Sequence, residues 1–451
     1  VTNRRSFLAA SVLGTAAALH PGAMAAAAGQ APSRELRDLL SQIDERRIEH
    51  TVRTLVSFGT RHTLSAQNDP KRGIGAARDW LLAEFGAIAA TSDGRFTAEL
   101  QSYVQQPDGD RIPVPTTITN VLGTLRGTGD PQRVYVVSGH YDSRCSNPLD
   151  FTSDAPGADD DASGVAVVLE AARVLARHDS EATIIFAAVA GEEQNLYGAR
   201  HLAQQLKAAG KTVHGMFTND IVGSSTAHDG TKHPNTVRLF AEGVPTAETP
   251  AQAAIRQKVG GENDSTSRQL GRFTKDVAAG MDVRVVHRRD RYLRGGDHIP
   301  FLELGWPALR FTEAAENYAH QHQDVRVENG VQYGDLIEFC DFGYMAKVAK
   351  VNLSTLWSLA QAPAAPVGAK LVTKTLAQDT TIVWDRGTEP DLAGYEVVVR
   401  ETTDNDWTEV HRVGDVTTAT FALSKDDVFF GVRAVDRDGH RSPVSFPAPS
   451  G

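Results

Sequence analysis

The chain has 451 residues, of which 41% are hydrophobic and 23% charged, the make-up of a globular protein too long for a single ordinary domain. A formal net charge of −10 with no basic stripe argues against a nucleic-acid partner. Two cysteines are too few for a disulfide framework or a cysteine-held zinc site. An acidic balance also suits a protein that gathers cations, although most acidic proteins bind none.

In chain order, residues 1–25 read as a targeting segment. Arg4-Arg5 precede Phe7-Leu8, a mildly apolar stretch runs to about Leu19, and Ala23-Met24-Ala25 provides an A-x-A cleavage signal. The apolar stretch is shorter than the ~20 residues of a membrane span. The run Asn3-Arg4-Arg5-Ser6-Phe7-Leu8 resembles a twin-arginine export signal, with Asn3 and Ala9 departing from the usual pattern. An ordinary secretory signal or an uncleaved anchor is the alternative. The expectation is an exported protein, periplasmic or secreted, with no membrane span once the signal is removed. Such a location permits one disulfide, and whether Cys145 and Cys340 pair stays open.

Helical patterns follow at Arg34–Phe58 and Gly73–Phe85. Val134–Val137 is then a continuous apolar run of strand length, Ser163–Ala176 is helix-like, Thr183–Ala190 is a second buried-strand run, and Tyr197–Ala209 is helical. Val213–Val222, Val237–Ala241, Val283–His287 and Ala308–Phe311 are further strand candidates, and Gln332–Leu359 closes the region with a long helical stretch. Non-alternating strands between helices predict an α/β domain, a mostly parallel sheet with helices on both faces. The run AQAPAAPVGA over residues 360–369 reads as a linker. The expected divisions are a first domain over 34–361, a linker over 362–369 and a second domain over 370–451. That second part carries short strands at Thr380–Trp384, Gly394–Val399, Trp407–Val413, Thr417–Phe421 and Val428–Val435, the pattern of a small all-β sandwich. It resembles a fibronectin type III module, with Trp384 early and Tyr395 in the middle. Such a module can contact a surface or partner, or serve as a spacer.

Polar residues cluster where the buried strands end, which is where open α/β sheets place their sites. Gly139-His140-Tyr141-Asp142-Ser143 follows the first strand, and Gly191-Glu192-Glu193 follows the second. Pro156–Gly164 (PGADDDASG) opens a helix, Asn219-Asp220 ends a third strand, and Tyr318–Asp324 (YAHQHQD) follows a fourth. Singly each has a plain structural explanation: a hydrogen-bonded histidine, a helix cap, a solvated turn. Together they bring His, Asp and Glu to one sheet edge. Carboxylates gathered there would repel one another, and a cation relieves that conflict.

These segments resemble the co-catalytic zinc aminopeptidases (metallopeptidase family 28), which have glutamate carboxypeptidase and glutaminyl cyclase relatives. The resemblance runs from about Phe58 to Leu359, and PGADDDASG and GEE in this order are its specific parts. It implies two Zn2+ ions, one on His140, Asp160 and Asp220, the other on Asp160, Glu193 and His320, with Asp160 bridging. It implies Glu192 as general base, Asp142 as the carboxylate that orients His140, and a cis peptide at Asp160-Asp161. His320 is preferred to His322 because the family places an acid four residues after its ligand, here Asp324. The tyrosine that normally precedes the last ligand is displaced to Tyr318, with Ala319 in its place. Tyr318, Asp297 and Phe301 are the candidate substrate-binding residues; a capped helix start with Phe301 in the core is the competing reading.

The implied activity is hydrolysis of N-terminal residues from peptides. A carboxypeptidase or dipeptidase on the same metal site is the alternative. A glutaminyl cyclase is less favoured, and a non-catalytic binding protein is disfavoured because every ligand and the base are present.

Overall fold

The apolar runs become the centre of an eight-stranded sheet. The computed structural model describes residues 32–374 and 376–450, with the backbone of a two-residue strand at Ala25–Ala26. The rest of the expected export signal lies outside the described residues. Two compact units are present. One holds the described residues up to Ala364 with 438–444, and the other holds 365–437 and 445–450 with Ala25–Ala26.

In the first unit the strands are β1 (Phe96–Gln105), β2 (Thr116–Leu125), β3 (Asp130–His140) and β4 (Ala182–Val189). They continue with β5 (Thr212–Asn219), β6 (Thr236–Phe240), β7 (Asp282–Val286) and β8 (Ala308–Glu313). Their spatial order is β1-β2-β4-β3-β5-β8-β6-β7. The central four, β4, β3, β5 and β8, run parallel. β1 and β2 flank them in antiparallel pairings on one side; on the other, β6 is antiparallel to β8 and parallel to β7.

The middle stretches of the central strands are largely apolar because both of their faces are covered. Successive side chains alternate between faces. Tyr135, Val137, Ile184, Phe186 and Ala188 join one core, with the helices Glu45–Ser57, Ile74–Ala89, Ala162–Leu175, Thr266–Val277 and Phe342–Gln361. Val134, Val136, Ile185, Ala187 and Val189 join the other, with Tyr197–Ala208 and Ile299–Glu303. The helix Ala162–Leu175 is buried along almost its whole length, so it is hydrophobic all round rather than striped.

Two helical expectations divide. Arg34–Phe58 forms two helices, Arg34–Leu40 and Glu45–Ser57, because Asp44 caps the second by accepting from the Arg46 N–H. The stretch from Gln332 begins as a hairpin strand, Val331–Tyr333 against Arg326–Glu328, and the helix starts at Phe342 behind its cap, Asp341.

The second unit is a β-sandwich. Leu392–Glu401 pairs with Glu409–Gly414 and Val428–Asp436 in one sheet, and Ala25–Ala26 adds to its edge. Thr380–Val383, Thr418–Phe421, Lys370–Leu371 and Ala448–Pro449 form the other. Its own core joins Ile382, Trp384, Tyr395, Val397, Phe430 and Val432. The Trp384 and Tyr395 rings lie 5.4 Å apart, and the Tyr395 hydroxyl accepts from the Gly387 N–H at 2.7 Å. Both cysteines are free thiols. Among the described residues, no helix is long and apolar enough to cross a membrane.

Candidate metal centre

Parallel strands end on one edge, and register sets how level those ends are. His140 lies opposite Val189, Ser138 opposite Thr218, and Asn219 opposite Phe311. His140 is therefore the last residue of β3, and Asp220 directly follows β5. Glu192 and Glu193 follow β4 after a turn at Gly191, whose φ of +74° favours glycine. Asp160 stands just ahead of the helix Ala162–Leu175, and His322 lies in the loop after β8. Asn219 exchanges two amide hydrogen bonds with Asn352, at 3.0 and 2.8 Å, which ties the end of β5 to the last helix.

Two sets of donor atoms converge here: His140, Glu192 and Asp220 in one, Asp160, Glu193 and His322 in the other. Within each set the atoms lie no more than 4.8 Å apart. Asp160 faces both, with Oδ1 3.0 Å from His140 Nε2 and Oδ2 2.8 Å from His322 Nε2. Asp220 Oδ1 is 3.8 Å from His140 Nε2. The peptide between Asp160 and Asp161 is cis.

The second histidine is a correction. The sequence pattern favours His320, but the structure brings His322 to Asp160 and Glu193. His320 turns away, its ring stacked on Phe339 at 3.5 Å. The acid that was to mark the ligand, Asp324, instead accepts from the Ser146 N–H at 3.1 Å. A left-handed backbone at His322, φ +53°, is the local bend that counting residues does not reveal.

Asp142 does more than the expected orientation of His140. The ring Nδ1 is nearer the Asp142 carbonyl, at 3.1 Å, than its carboxylate, at 3.6 Å. The carboxylate accepts from the backbone N–H groups of Glu192 (3.3 Å) and Glu193 (3.2 Å) and from the Thr63 hydroxyl (3.0 Å). Asp161 caps its helix through the Gly164 N–H and accepts the His140 N–H, both at 2.9 Å.

Several supporting residues lie outside the segments that carry the candidate ligands. Asp335 accepts the N–H groups of Asp159 and Asp160 at 2.8 and 2.7 Å. Arg61 is fully buried and donates to the carbonyls of Leu55, Tyr141, Pro156 and Gly157, so one guanidinium holds the loops on either side of the site. Burial pushes its pKa down to about 10 against the pull of Asp335 and Asp142. Arg144 reaches Glu193 at 2.8 Å and the His322 Nδ1 at 2.6 Å, and Arg310 reaches Asp220 at 2.9 Å.

Carboxylates dominate the electrostatics of this edge. Burial opposes a charged imidazole at His140, yet Asp142, Asp160 and Asp161 outweigh it and hold its pKa well above the ordinary value. Burial likewise opposes charge on His322, but Glu193 and Asp160 push it up to about 10. Burial raises Glu192 well above the carboxylate range; Asp220, Asp297 and Glu193 add to this, while His140 opposes it. Glu193 Oε1 is buried without a hydrogen bond although it lies 3.0 Å from His322 Nε2, so the pair meets without hydrogen-bond geometry. Two ligands of one ion approach in this way. Imidazole nitrogens and carboxylate oxygens are also a suitable donor set for zinc. The residues present fit the metal.

A cavity of about 600 Å³ opens over both sets, lined by Asp160, Glu192, Glu193, Asp220 and His322. Tyr318 is 64% exposed on its wall. Phe301, expected beside the substrate, is instead completely buried, packed with Ile299, Leu302 and Ala308 and 6.0 Å from the Trp306 ring. Asp297 does not line the cavity either. It is buried, neither oxygen has a hydrogen-bond partner, and burial raises its pKa to about 8.

A parallel-centred α/β sheet with imidazoles and carboxylates converging at its carboxyl edge defines a metal-dependent hydrolase class. Comparison with known proteins narrows this. Residues 120–332 match Peptidase family M28. A probable zinc metalloprotease of Pyrenophora teres f. teres is 53% identical over 427 residues, covering 93% of this chain and 88% of that protein. One of Leptosphaeria maculans is 52% identical, covering 93% of this chain and 98% of that protein. Among solved structures, the LapA aminopeptidase of Legionella pneumophila superposes with a TM-score of 0.50 at 19% identity, over 72% of this chain and 74% of that one. The chain belongs to peptidase family M28, a family of zinc metallopeptidases.

Proposed function

We propose that the protein is an exported aminopeptidase that holds two zinc ions and removes N-terminal residues from peptides. The observation that carries this reading is the single Asp160 carboxylate facing His140 and His322 at the floor of an open cavity. His140, Asp160 and Asp220 would hold one ion, and Asp160, Glu193 and His322 the other. When bound, such ions polarise a carbonyl and make a water acidic near neutral pH. The protein's own residues do the rest. Glu192, half-buried on the cavity wall, is placed to take a proton from the attacking water and return it to the leaving amine. Asp142 keeps the Glu192-Glu193 turn and His140 in register. Asp160, held by Asp335 through its own N–H, stays between the two sets.

Export rests on Arg4-Arg5 and the Ala23-Met24-Ala25 run, and the fibronectin type III-like reading of the second unit rests on Trp384 and Tyr395 packed between two sheets. A carboxypeptidase or dipeptidase would use the same metal-binding residues. The deciding assay compares leucine release from Leu-Gly-Gly with its N-acetylated form, using zinc-loaded protein. Cleavage of the free peptide alone supports the aminopeptidase. Cleavage of both, or loss of the C-terminal residue, moves the specificity to the alternative.

A further inference from the structure

The cavity carries four guanidinium groups on its lining, those of Arg111, Arg144, Arg291 and Arg294. Two are committed. Arg144 pairs with Glu193 at 2.8 Å, and Arg291 pairs with Glu316 at 3.0 Å and Asp290 at 3.4 Å. The remaining two have donors to spare.

Around Arg294, four guanidiniums share two carboxylates that lie outside the metal-binding residues. The buried carboxylate of Glu316 is shared by Arg238 at 2.8 Å, Arg291 at 3.0 Å and Arg294 at 3.5 Å. Asp290 is shared by Arg291 and by Arg310 at 3.2 Å. Four guanidiniums therefore face two carboxylates, and the third within reach, Asp220, belongs to the metal-binding set. Arg294 makes the longest contact with Glu316, donates through the same nitrogen to Gln321 Oε1 at 3.1 Å, and keeps a side chain 31% exposed. Arg111 donates to the backbone carbonyl of Glu193 and has no ion pair among the described residues. A buried or half-buried guanidinium without its own carboxylate is a poor structural device and a good receptor for a planar anion, which it binds through two parallel N–H donors.

We propose that Arg111 and Arg294 recognise a substrate carboxylate, so that the protein favours peptides with a carboxylate next to the scissile bond. That group is either an acidic N-terminal side chain or the free C-terminus of a dipeptide. The proposal rests on the peptidase reading above and adds its substrate class. The apolar side chains on the lining, Leu196 and Leu293, are few for a pocket built to hold a large hydrocarbon group.

The test has two arms, each a ratio of kcat/KM values: Glu-Gly-Gly against Gln-Gly-Gly, and Leu-Gly against Leu-Gly amide. A preference of about tenfold or more for the carboxylate form is expected in one arm, the size of one charge-assisted contact. Arg111→Gln and Arg294→Gln should each lower that ratio, the double variant should bring it near one, and lysine at either position should keep part of it. Calorimetric binding of the same peptides to the Glu192→Gln protein gives a readout free of turnover. Ratios within about twofold in both arms overturn the proposal, as does a preference that survives in the double variant. Failure of the peptidase reading looks different: none of the four peptides is cleaved, whatever the calorimetry shows.

Discussion

Replacing Asp142 with Asn tests the support of the centre without touching a ligand. The carboxylate accepts from three donors, the Thr63 hydroxyl and the Glu192 and Glu193 N–H groups, while the His140 ring nitrogen, 3.6 Å away, bonds the Asp142 carbonyl instead. An amide keeps one oxygen. Its better orientation leaves that oxygen toward Thr63 and Glu193, at 3.0 and 3.2 Å, and turns its own N–H toward the Glu192 N–H. One buried donor is then orphaned, at a cost of about 1–3 kcal/mol. The loss falls on the turn that carries both glutamates and on the charge beside His140. Zinc affinity or kcat/KM should therefore drop about 10–100-fold, the usual effect of removing a partner behind a ligand. Chelator competition gives the affinity, and Leu-Gly-Gly hydrolysis gives the rate. A variant within about twofold of the native protein in both would refute the assignment, since that corresponds to under about 0.5 kcal/mol.

Glu192→Gln should reduce turnover by about 10²–10⁴-fold while both metal ions stay bound; normal activity would remove Glu192 as the proton carrier. Phe301→Ala should destabilise the peptidase unit by about 3–5 kcal/mol in urea without changing side-chain preference, because Phe301 is core. Unchanged stability with altered preference would return it to the substrate wall. Asp108 accepts from the Tyr197 hydroxyl at 2.6 Å and from the Ile112 and Asp110 N–H groups at 2.8 Å. A slight burial opposes these bonds, which hold its pKa down to about 2. A lowered folded-state pKa means its stabilisation is complete above the unfolded value and disappears as pH falls toward about 2. The native protein should therefore lose stability relative to Asp108→Asn between about pH 4 and pH 2. Parallel acid-unfolding curves would discount the contact.

The site was legible because its residues stand at the ends of apolar runs. His140, Glu192, Glu193 and Asp220 each follow a buried strand, and a parallel sheet brings such ends together whatever their separation in the chain. The histidine in YAHQHQD was not legible, since one left-handed residue decides which ring points inward and spacing does not encode it. β1 and β2 escaped notice for a compositional reason. FTAELQSYVQ and TTITNVLGTL mix polar residues into strands that flank the parallel centre, so neither reads as a continuous apolar run. Asp335 and Arg310 were invisible because an isolated charged residue reads as surface, and only the fold reveals that each is buried against distant backbone or carboxylates.

The central claim is that Asp160 joins two metal positions and that His322 completes the second. Zinc content per chain, measured by mass spectrometry of the dialysed native protein and of Asp160→Ala, His322→Ala and His320→Ala, tests it directly. Two ions are expected in the native protein and in His320→Ala, loss of the second in His322→Ala, and loss of both in Asp160→Ala. Two ions retained in His322→Ala with one lost in His320→Ala, or two retained in Asp160→Ala, would contradict it.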